Sequence, residues 1–539
     1  MATNSPQLHA QYQKRKKTRA VWIILIVIML FAAEFRFDDL DAKSLSQDES
    51  TMLHFTRGVL EKGYPYLVRG GSEVLMATYE LVPYFIAPMV KVFGWSEKSV
   101  RLPAAIFGLA TLLLIFVASK NWFGNRVALL ASLLYAVSPW ALYWSKNSFY
   151  PSQLQFFALL SVMLVYRLFH AEGVRNRDYY ILAAVLSATY LTWEGSGLLF
   201  LVYGLLGLTL YWKQWGFMRH GHAWLAFGGL ILVVIIQLLR RGLLKDPFLV
   251  IGSSRSSISA PQLALNQPTF DPYYYLDNIF ASEQHIMLFA MFLLGVVFLR
   301  QDKNLRFVYG YVCFSLLIYT ELLAVYAIRY LYFILPLFLI AASASTFKML
   351  DWVTQAGTRP ALKSIRALGL TCALIFIPFQ VLVLSGDGIS LSELRPGYRD
   401  SVAWELHPDV AEVDYRHVML ALGQKYRAGD IIILRSPFLL EAYTGLRGDY
   451  MLQSVTIGVV NYDSFLGPPY YLDKFVGNPV LRNRAELEDV LHRHSRVWFL
   501  ATAVAPTKYA LGDDLFAFVH ETMTLVTEGS KVRLYLWEN

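Results

Sequence analysis

The chain has 539 residues, 56% of them apolar and only 16% charged, with a mean hydropathy of +0.41. That balance excludes a soluble enzyme with a single anchor and indicates a polytopic α-helical membrane protein. The formal net charge of +8 does not point to nucleic acid, because the basic residues gather in short loops between apolar runs, where they orient helices.

The first apolar run, Val21 to Ala33, follows Lys14-Arg15-Lys16-Lys17 and precedes Glu34 and Arg36 rather than a small-residue cleavage site. It therefore reads as a retained span with a cytoplasmic N-terminus. A crossing helix needs about 20 mostly apolar residues. Crossings are expected at Arg19 to Phe37, Arg101 to Ser119, Val127 to Trp144, Pro151 to Phe169, Tyr179 to Trp193 and Gly195 to Trp212. Further ones are expected at Ala223 to Leu239, Gln284 to Leu299, Phe307 to Tyr326, Tyr330 to Phe347 and Leu368 to Leu384. The total is about eleven.

Tyr79 to Phe93 is apolar but is broken by Pro83 and Pro88 and carries Glu80 and Lys91. Counted as a crossing, it would put the basic loops Lys120 to Arg126, Arg167 to Arg177 and Lys213 to His222 outside. As an interfacial helix it leaves all three inside, as the positive-inside rule prefers. The outer side then holds residues 38–100, the loop Lys146 to Tyr150, the Glu194 corner, the long loop 240–283, the Glu321 to Arg329 corner and everything after Ser385. Such a chain fits a bacterial inner membrane with its C-terminal part periplasmic.

Composition changes near Gly386, so a membrane domain over 1–385 and an extracytoplasmic α/β domain over 386–539 are expected. Asp430 to Leu434, Val497 to Leu500 and Val532 to Leu536 read as strands, and helical patterns at His417 to Tyr426 and Ala485 to His494 precede the first two. This part carries no Gly-rich phosphate loop or nucleophile elbow. The two cysteines, Cys313 and Cys372, lie in apolar runs, so neither a disulfide framework nor a thiolate metal site is expected.

Site candidates collect on the outer side. Asp48 and Glu49 form a carboxylate pair in Ser46-Gln47-Asp48-Glu49, although the same S-x-x-E spacing also makes a helix capping box. Glu194 sits between two tightly joined spans, where an acid also caps or snorkels. Lys146 and Asn147 follow the Trp140, Tyr143 and Trp144 belt, which equally suits an interfacial anchor. Arg329 and Tyr330 open the tenth span, and Arg240, Arg241 and Arg255 lie in the long loop. Guanidinium groups bind phosphate bidentately, and flanking arginines also simply orient spans. His54 follows Asp48 on the same short helix, where a solvated face is the plainer reading. Arg329, Tyr330, Arg255 and Lys146 are the candidates for the donor phosphate, and Glu194, Asn147, Glu80 and His54 for sugar or acceptor contacts. No metal-ligand set is assigned, and a divalent cation at the carboxylates stays open as a cofactor.

In the order and sidedness of these features the chain resembles the GT-C superfamily of membrane glycosyltransferases that use polyprenyl-phosphate sugars, especially protein O-mannosyltransferases and bacterial aminoarabinose transferases. The resemblance rests on Asp48-Glu49 after the first span, Val100-Arg101-Leu102-Pro103-Ala104-Ala105, Ser138-Pro139 with Ser145-Lys146-Asn147, and Arg329-Tyr330 leading into Ile334-Leu335-Pro336. It covers roughly the first 350 residues by topology. Lys146 stands where arginine is expected, and Glu194 where many relatives carry lysine.

The resemblance implies a lipid-phosphate sugar donor, transfer at the outer face and catalysis by the carboxylate pair. The residues suit that chemistry: a sugar on a lipid phosphate has a good leaving group, so cations matter more than an acid. A hydroxyl acceptor benefits from a general base, with Asp48 the candidate. One base and a direct displacement imply inversion at the anomeric carbon. Two alternatives stand beside this: a lipid or sugar transporter, which would usually show repeated halves and broken helices near the midplane, and a non-catalytic membrane assembly subunit. The expected partners are the donor, membrane lipid and a protein, lipid or glycan acceptor.

Overall fold

The computed structural model describes residues 5–69, 72–75, 79–170, 174–243, 273–276, 279, 286–323, 327–355, 414–435, 437–453, 465–466, 471–473, 476–502, 511–529 and 532–539. Its helices begin with α1 (Ser5–Phe37), α2 (Gln47–Lys62), α3 (Val82–Phe93), α4 (Glu97–Phe123), α5 (Asn125–Val137) and α6 (Pro139–Ser145). They continue with α7 (Pro151–His170), α8 (Asn176–Thr192), α9 (Leu198–Thr209), α10 (Gly221–Leu243), α11 (Ile286–Leu294), α12 (Lys303–Leu322) and α13 (Leu335–Gln355). The C-terminal helices are α14 (Tyr415–Lys425), α15 (Pro437–Thr444), α16 (Arg484–Arg493) and α17 (Asp513–Thr522).

Among the described residues, six helices are long and apolar enough to cross a membrane: Arg19–Phe37, Glu97–Phe123, Pro151–His170, Gly221–Arg240, Lys303–Leu322 and Ile328–Trp352. The pair α5 and α6, bent by 62° at its break, makes a seventh if taken as one span. The protein is therefore a multi-pass membrane protein. The crossings expected at Tyr179 to Trp193, Gly195 to Trp212 and Gln284 to Leu299 take the form of shorter helices, α8, α9 and α11. Leu368 to Leu384 lies outside the described residues, so length and composition alone do not reach eleven.

The chain divides into two compact units, the first drawn from Met1–Asp38, Ala104–Val234 and Ala260–Ser401. Here α1 packs on α5, and α13 on α5, α11 and α12. Ile23, Ile26, Val27 and Leu30 of α1 remain exposed, which in a bilayer is contact with lipid rather than water. The sharp turn between α5 and α6 has a local cause. Pro139 has no N–H to offer the Tyr135 carbonyl, and Ser138 caps α6 through its Oγ, which accepts from Ala141 N. The Tyr135 carbonyl accepts from Ser138 N at 3.4 Å, and the fully buried Arg36 adds to this: Nη2 donates to Tyr135 O at 3.1 Å, and Nη1 to Ala136 O and Ala32 O, each at 3.2 Å.

The second unit is drawn from Asp39–Pro103, Ile235–Ser259 and Val402–Asn539. Its N-terminal part holds α2, the antiparallel hairpin of β1 (Tyr66–Arg69) and β2 (Ser72–Leu75), α3 and the first turns of α4. The twelve residues of α3 reach about 18 Å, well short of a hydrocarbon core of about 30 Å. It buries Val82, Ile86 and Val90 and exposes Tyr84, Val92 and Phe93. The C-terminal part contributes a mixed sheet of β3 (Ile431–Leu434), β4 (Arg496–Thr502), β5 (Thr524–Gly529) and β6 (Val532–Glu538) in the order β3-β4-β6-β5. Within this sheet β3 and β4 pair in parallel and the other pairings are antiparallel. Ile433, Val497, Phe499 and Tyr535 of the sheet pack with Leu487, Leu491 and Val519 from α16 and α17.

Replacing Arg36 with methionine keeps the side chain's length and removes its donors from the Tyr135 and Ala136 carbonyls. The expected loss is about 2 kcal/mol or more, seen as a lower thermal midpoint in detergent than that of Arg36→Lys, which keeps a charged donor. Equal midpoints for the methionine variant and the parent would show that the bend holds without the guanidinium.

Candidate active site

The carboxylate pair sits in the first turn of α2. Ser46 is the N-cap: its Oγ accepts from Glu49 N at 3.3 Å, while Glu49 Oε2 accepts from Ser46 N at 3.0 Å. The capping box is therefore present. It is the smaller part of what holds Glu49, because the Arg101 guanidinium lies against the same carboxylate. Arg101 donates from Nε to Glu49 Oε1 at 2.7 Å and from Nη2 to Oε2 at 2.8 Å. Its other donors reach the carbonyls of Leu40 and Lys43 at 2.8 Å each and Ser44 at 3.0 Å. All five guanidinium N–H groups are thus used. Both side chains of the ion pair are only 2% exposed.

Both oxygens of Glu49 are engaged and buried, so the geometry gives it a structural task. Asp48 is the partly exposed member of the pair, at the helix end where the macrodipole favours an anion. Arg101 was legible in the sequence only as the start of a span. The signal that marks it is a cation near the N-terminal end of a helix, where the dipole disfavours it unless an acid compensates.

Two other candidates in this unit also have structural partners. His54 Nδ1 lies 2.9 Å from Glu441 Oε2, and Arg57 Nη1 donates to Glu441 Oε1 at 2.9 Å. Glu80 accepts from Arg240 Nη1 at 2.8 Å on both oxygens and from Gln237 Nε2, so Glu80 and Arg240 answer one another's charge. Arg255 lies outside the described residues.

Within the first unit the structure gathers Trp193, Glu194, Arg329 and Tyr330. The chain turns through two short 3₁₀ segments, Glu194–Gly197 and Ile328–Ile334. Trp193 is fully buried and sandwiched, parallel to Tyr330 at 5.1 Å and to Tyr150 at 5.4 Å between ring centres. Its position depends on Gly195, where an added Cβ would strike the indole, and Tyr319 Oη donates to the Gly195 carbonyl at 3.1 Å. The Arg329 guanidinium lies 5.6 Å from the Tyr330 ring centre and 5.8 Å from that of Phe149. Lys146 forms the C-cap of α6, and Asn147, only 7% exposed, accepts from Phe149 N at 2.9 Å through Oδ1. Trp144 Nε1, Trp193 Nε1 and Ser196 Oγ are buried without a hydrogen-bond partner among the described residues. Among the described residues no three His, Cys, Asp or Glu side chains gather to hold a metal ion.

Comparison with known proteins gives the same direction from three sides. A family described as dolichyl-phosphate-mannose-protein mannosyltransferase matches residues 80–239. YkcB of Bacillus subtilis (strain 168), assigned by name to the mannosyltransferases, is 26% identical over 158 residues, which is 28% of this chain and 21% of YkcB. ArnT from Cupriavidus metallidurans, solved bound to undecaprenyl phosphate, superposes with a TM-score of 0.62 at 14% identity, over 96% of this chain and 98% of ArnT. The archaeal oligosaccharyltransferase AglB from Archaeoglobus fulgidus, solved with an inhibitory peptide and a dolichol-phosphate, gives 0.51 at 13% identity over 90% and 69%. The chain carries the GT-C fold.

Removing one partner of the buried pair tests its structural weight. Glu49→Ala strands the Arg101 charge and is expected to lower stability by about 3–5 kcal/mol, whereas Ser46→Ala, which removes only the cap, is expected to lower it by about 1 kcal/mol. Thermal midpoints of the detergent-purified variants, ranked in that order, check the assignment, and equal losses would contradict it.

Proposed function

We propose that this GT-C superfamily membrane protein is an inverting glycosyltransferase that moves a sugar from a polyprenyl-phosphate donor to a hydroxyl acceptor at the outer face of the membrane. The observation that carries the reading is the division of labour in the carboxylate pair: Glu49 is buried against Arg101, while Asp48 beside it stays partly exposed at a fixed helix end. The undecaprenyl phosphate in ArnT and the dolichol-phosphate in AglB support a lipid-phosphate donor. The positive-inside pattern supports the outer face and a bacterial inner membrane.

In this reading the acceptor hydroxyl oxygen attacks the anomeric carbon and its proton passes to the Asp48 carboxylate. The bond from that carbon to the phosphate oxygen breaks, and the lipid phosphate leaves with the electron pair. No acid is needed for departure, because the phosphate is stabilised by cations. Arg329, Tyr330, Lys146 and Arg255 are the residues assigned to the donor phosphate. Tyr330 stacks on Trp193, with 5.1 Å between ring centres. Glu194 and Asn147 are assigned to sugar or acceptor hydroxyls. The acceptor is a protein, lipid or glycan hydroxyl.

Asp48→Asn keeps shape and polarity but cannot take the proton, so transfer from a radiolabelled polyprenyl-phosphate sugar is expected to fall by about 10²- to 10⁴-fold with the protein intact. A fully active Asp48→Asn would remove the base assignment.

Arg329→Ala is expected to raise donor KM and lower kcat while leaving acceptor KM nearly unchanged, because a guanidinium on the donor phosphate acts before and during transfer. Unchanged donor kinetics in a folded Arg329→Ala protein would rule out its phosphate role.

A further inference from the structure

Two clusters fasten α2 and its entry loop to helices of the C-terminal segment. In the first, Glu441 of α15 holds His54 and Arg57, one helical turn apart on α2, and the His54 ring stacks on Phe438 at 4.6 Å. The Glu441 and His54 side chains are 12% and 11% exposed. Burial pushes the Glu441 carboxyl up, but the hydrogen bond and charge of His54, with Arg57 and Arg447, outweigh it and hold the group below its ordinary range. The carboxylate is therefore the acceptor, and His54 Nδ1–H the donor. In the second cluster, Tyr443 Oη accepts from Leu45 N and donates to Glu97 Oε1, each at 2.6 Å. Arg416 of α14 pairs with Glu97 at 2.7 Å and donates to the Asp41 carbonyl. Ser44 Oγ accepts from Tyr415 N at 3.2 Å.

These contacts bear on a single mechanical question, the rotation of α2 about its axis. Arg101 grips the first turn and the carbonyls before it, which fixes one point of a rod 16 residues long. The buried face of α2, with Met52, Leu53 and Phe55, packs on α3, and apolar packing of that kind tolerates a rotation of several degrees that polar anchors at two points do not. His54 and Arg57 supply the second, about a turn and a half beyond Asp48. A side-chain group lies about 5–6 Å from the helix axis, so a rotation of about 10° moves it by about 1 Å. A misplacement of that size can reduce a reaction by about 100-fold.

We propose that α15 is a positioning clamp for the proposed base: Glu441, through His54 and Arg57, and Tyr443, through Leu45, set the rotation and entry of α2 and thereby the place of the Asp48 carboxylate. The C-terminal segment then belongs to the catalytic apparatus, whatever acceptor the enzyme takes. Glu441 is a positioning residue, not a catalytic one. The inference rests on the reading of Asp48 as the base.

The test uses the purified full chain with two readouts, amide hydrogen exchange over residues 47–53 and steady-state transfer. Glu441→Ala is expected to speed exchange in that stretch and to lower kcat by about 10- to 100-fold, with donor KM unchanged. Glu441→Gln, which still accepts from His54 and Arg57, is expected to recover part of the loss. In an Asp48→Asn background, Glu441→Ala should produce no further loss, because misplacing a group that cannot take the proton has no consequence. Unchanged exchange in Glu441→Ala, with Asp48→Asn inactive, would overturn the clamp alone. Faster exchange with full kcat, or additive losses in the double variant, would overturn the positioning role. A fully active Asp48→Asn would overturn the base assignment and the positioning role together.

Discussion

The guanidinium of Arg101 is the constraint on which the N-terminal part of the second unit depends. Burying a charge is unfavourable by several kcal/mol unless every donor is met, and Arg101 meets all five, two on Glu49 and three on the carbonyls of Leu40, Lys43 and Ser44. Those carbonyls belong to the irregular stretch before α2, which has no ladder of its own to satisfy them. The same side chain therefore folds a loop, starts a helix and neutralises a carboxylate. The capping box is worth about 1 kcal/mol and loss of a buried pair about 3–5 kcal/mol, so the ion pair rather than the cap decides why position 49 is an acid.

The first unit solves a related problem with different groups. Backbone that leaves helical geometry at membrane depth needs partners from within the protein, because lipid offers none. Pro139 creates such a gap at the junction of α5 and α6, and Arg36 helps to close it with donors to Tyr135 and Ala136. The 3₁₀ turn Glu194–Gly197 is supported by the Tyr319 hydroxyl on the Gly195 carbonyl and by the packing of Trp193 between Tyr150 and Tyr330.

What the sequence made legible was local. The S-x-x-E capping box appears as read, the runs Arg19 to Phe37, Pro151 to Phe169 and Ala223 to Leu239 lie on long apolar helices, and the strands read at Asp430, Val497 and Val532 coincide with β3, β4 and β6. Both signals arise within one element, from periodicity or from a cap within three residues. The pairings that give each side chain its task are not of that kind. Arg101 finds Glu49 across 52 positions, Arg240 finds Glu80 across 160, and His54 finds Glu441 across 387. Nothing in the sequence around His54 distinguishes a solvated face from a clamp. Arg36 was visible only as a charge that spoiled a cleavage site, because its partners are main-chain carbonyls, which every residue has.

The ion pair also bears on the chemistry through charge. Two adjacent carboxylates facing water repel one another, and a base beside a bare anion would be a poor place to gather an acceptor hydroxyl next to a departing phosphate. Arg101 cancels the Glu49 charge within hydrogen-bond distance, so Asp48 stands beside a neutral pair. Glu80 is likewise answered by Arg240, and Glu97 by Arg416. Glu73 is answered by Lys62 instead, and Glu61 accepts from the Tyr66 hydroxyl at 2.8 Å. A direct displacement on a lipid-phosphate sugar asks for one acceptor of a proton, with positive charge reserved for the leaving group. With both oxygens of Glu49 taken up by Arg101 and the Ser46 amide, the pair at the start of α2 does not offer the two available carboxylates that a hydrolase requires.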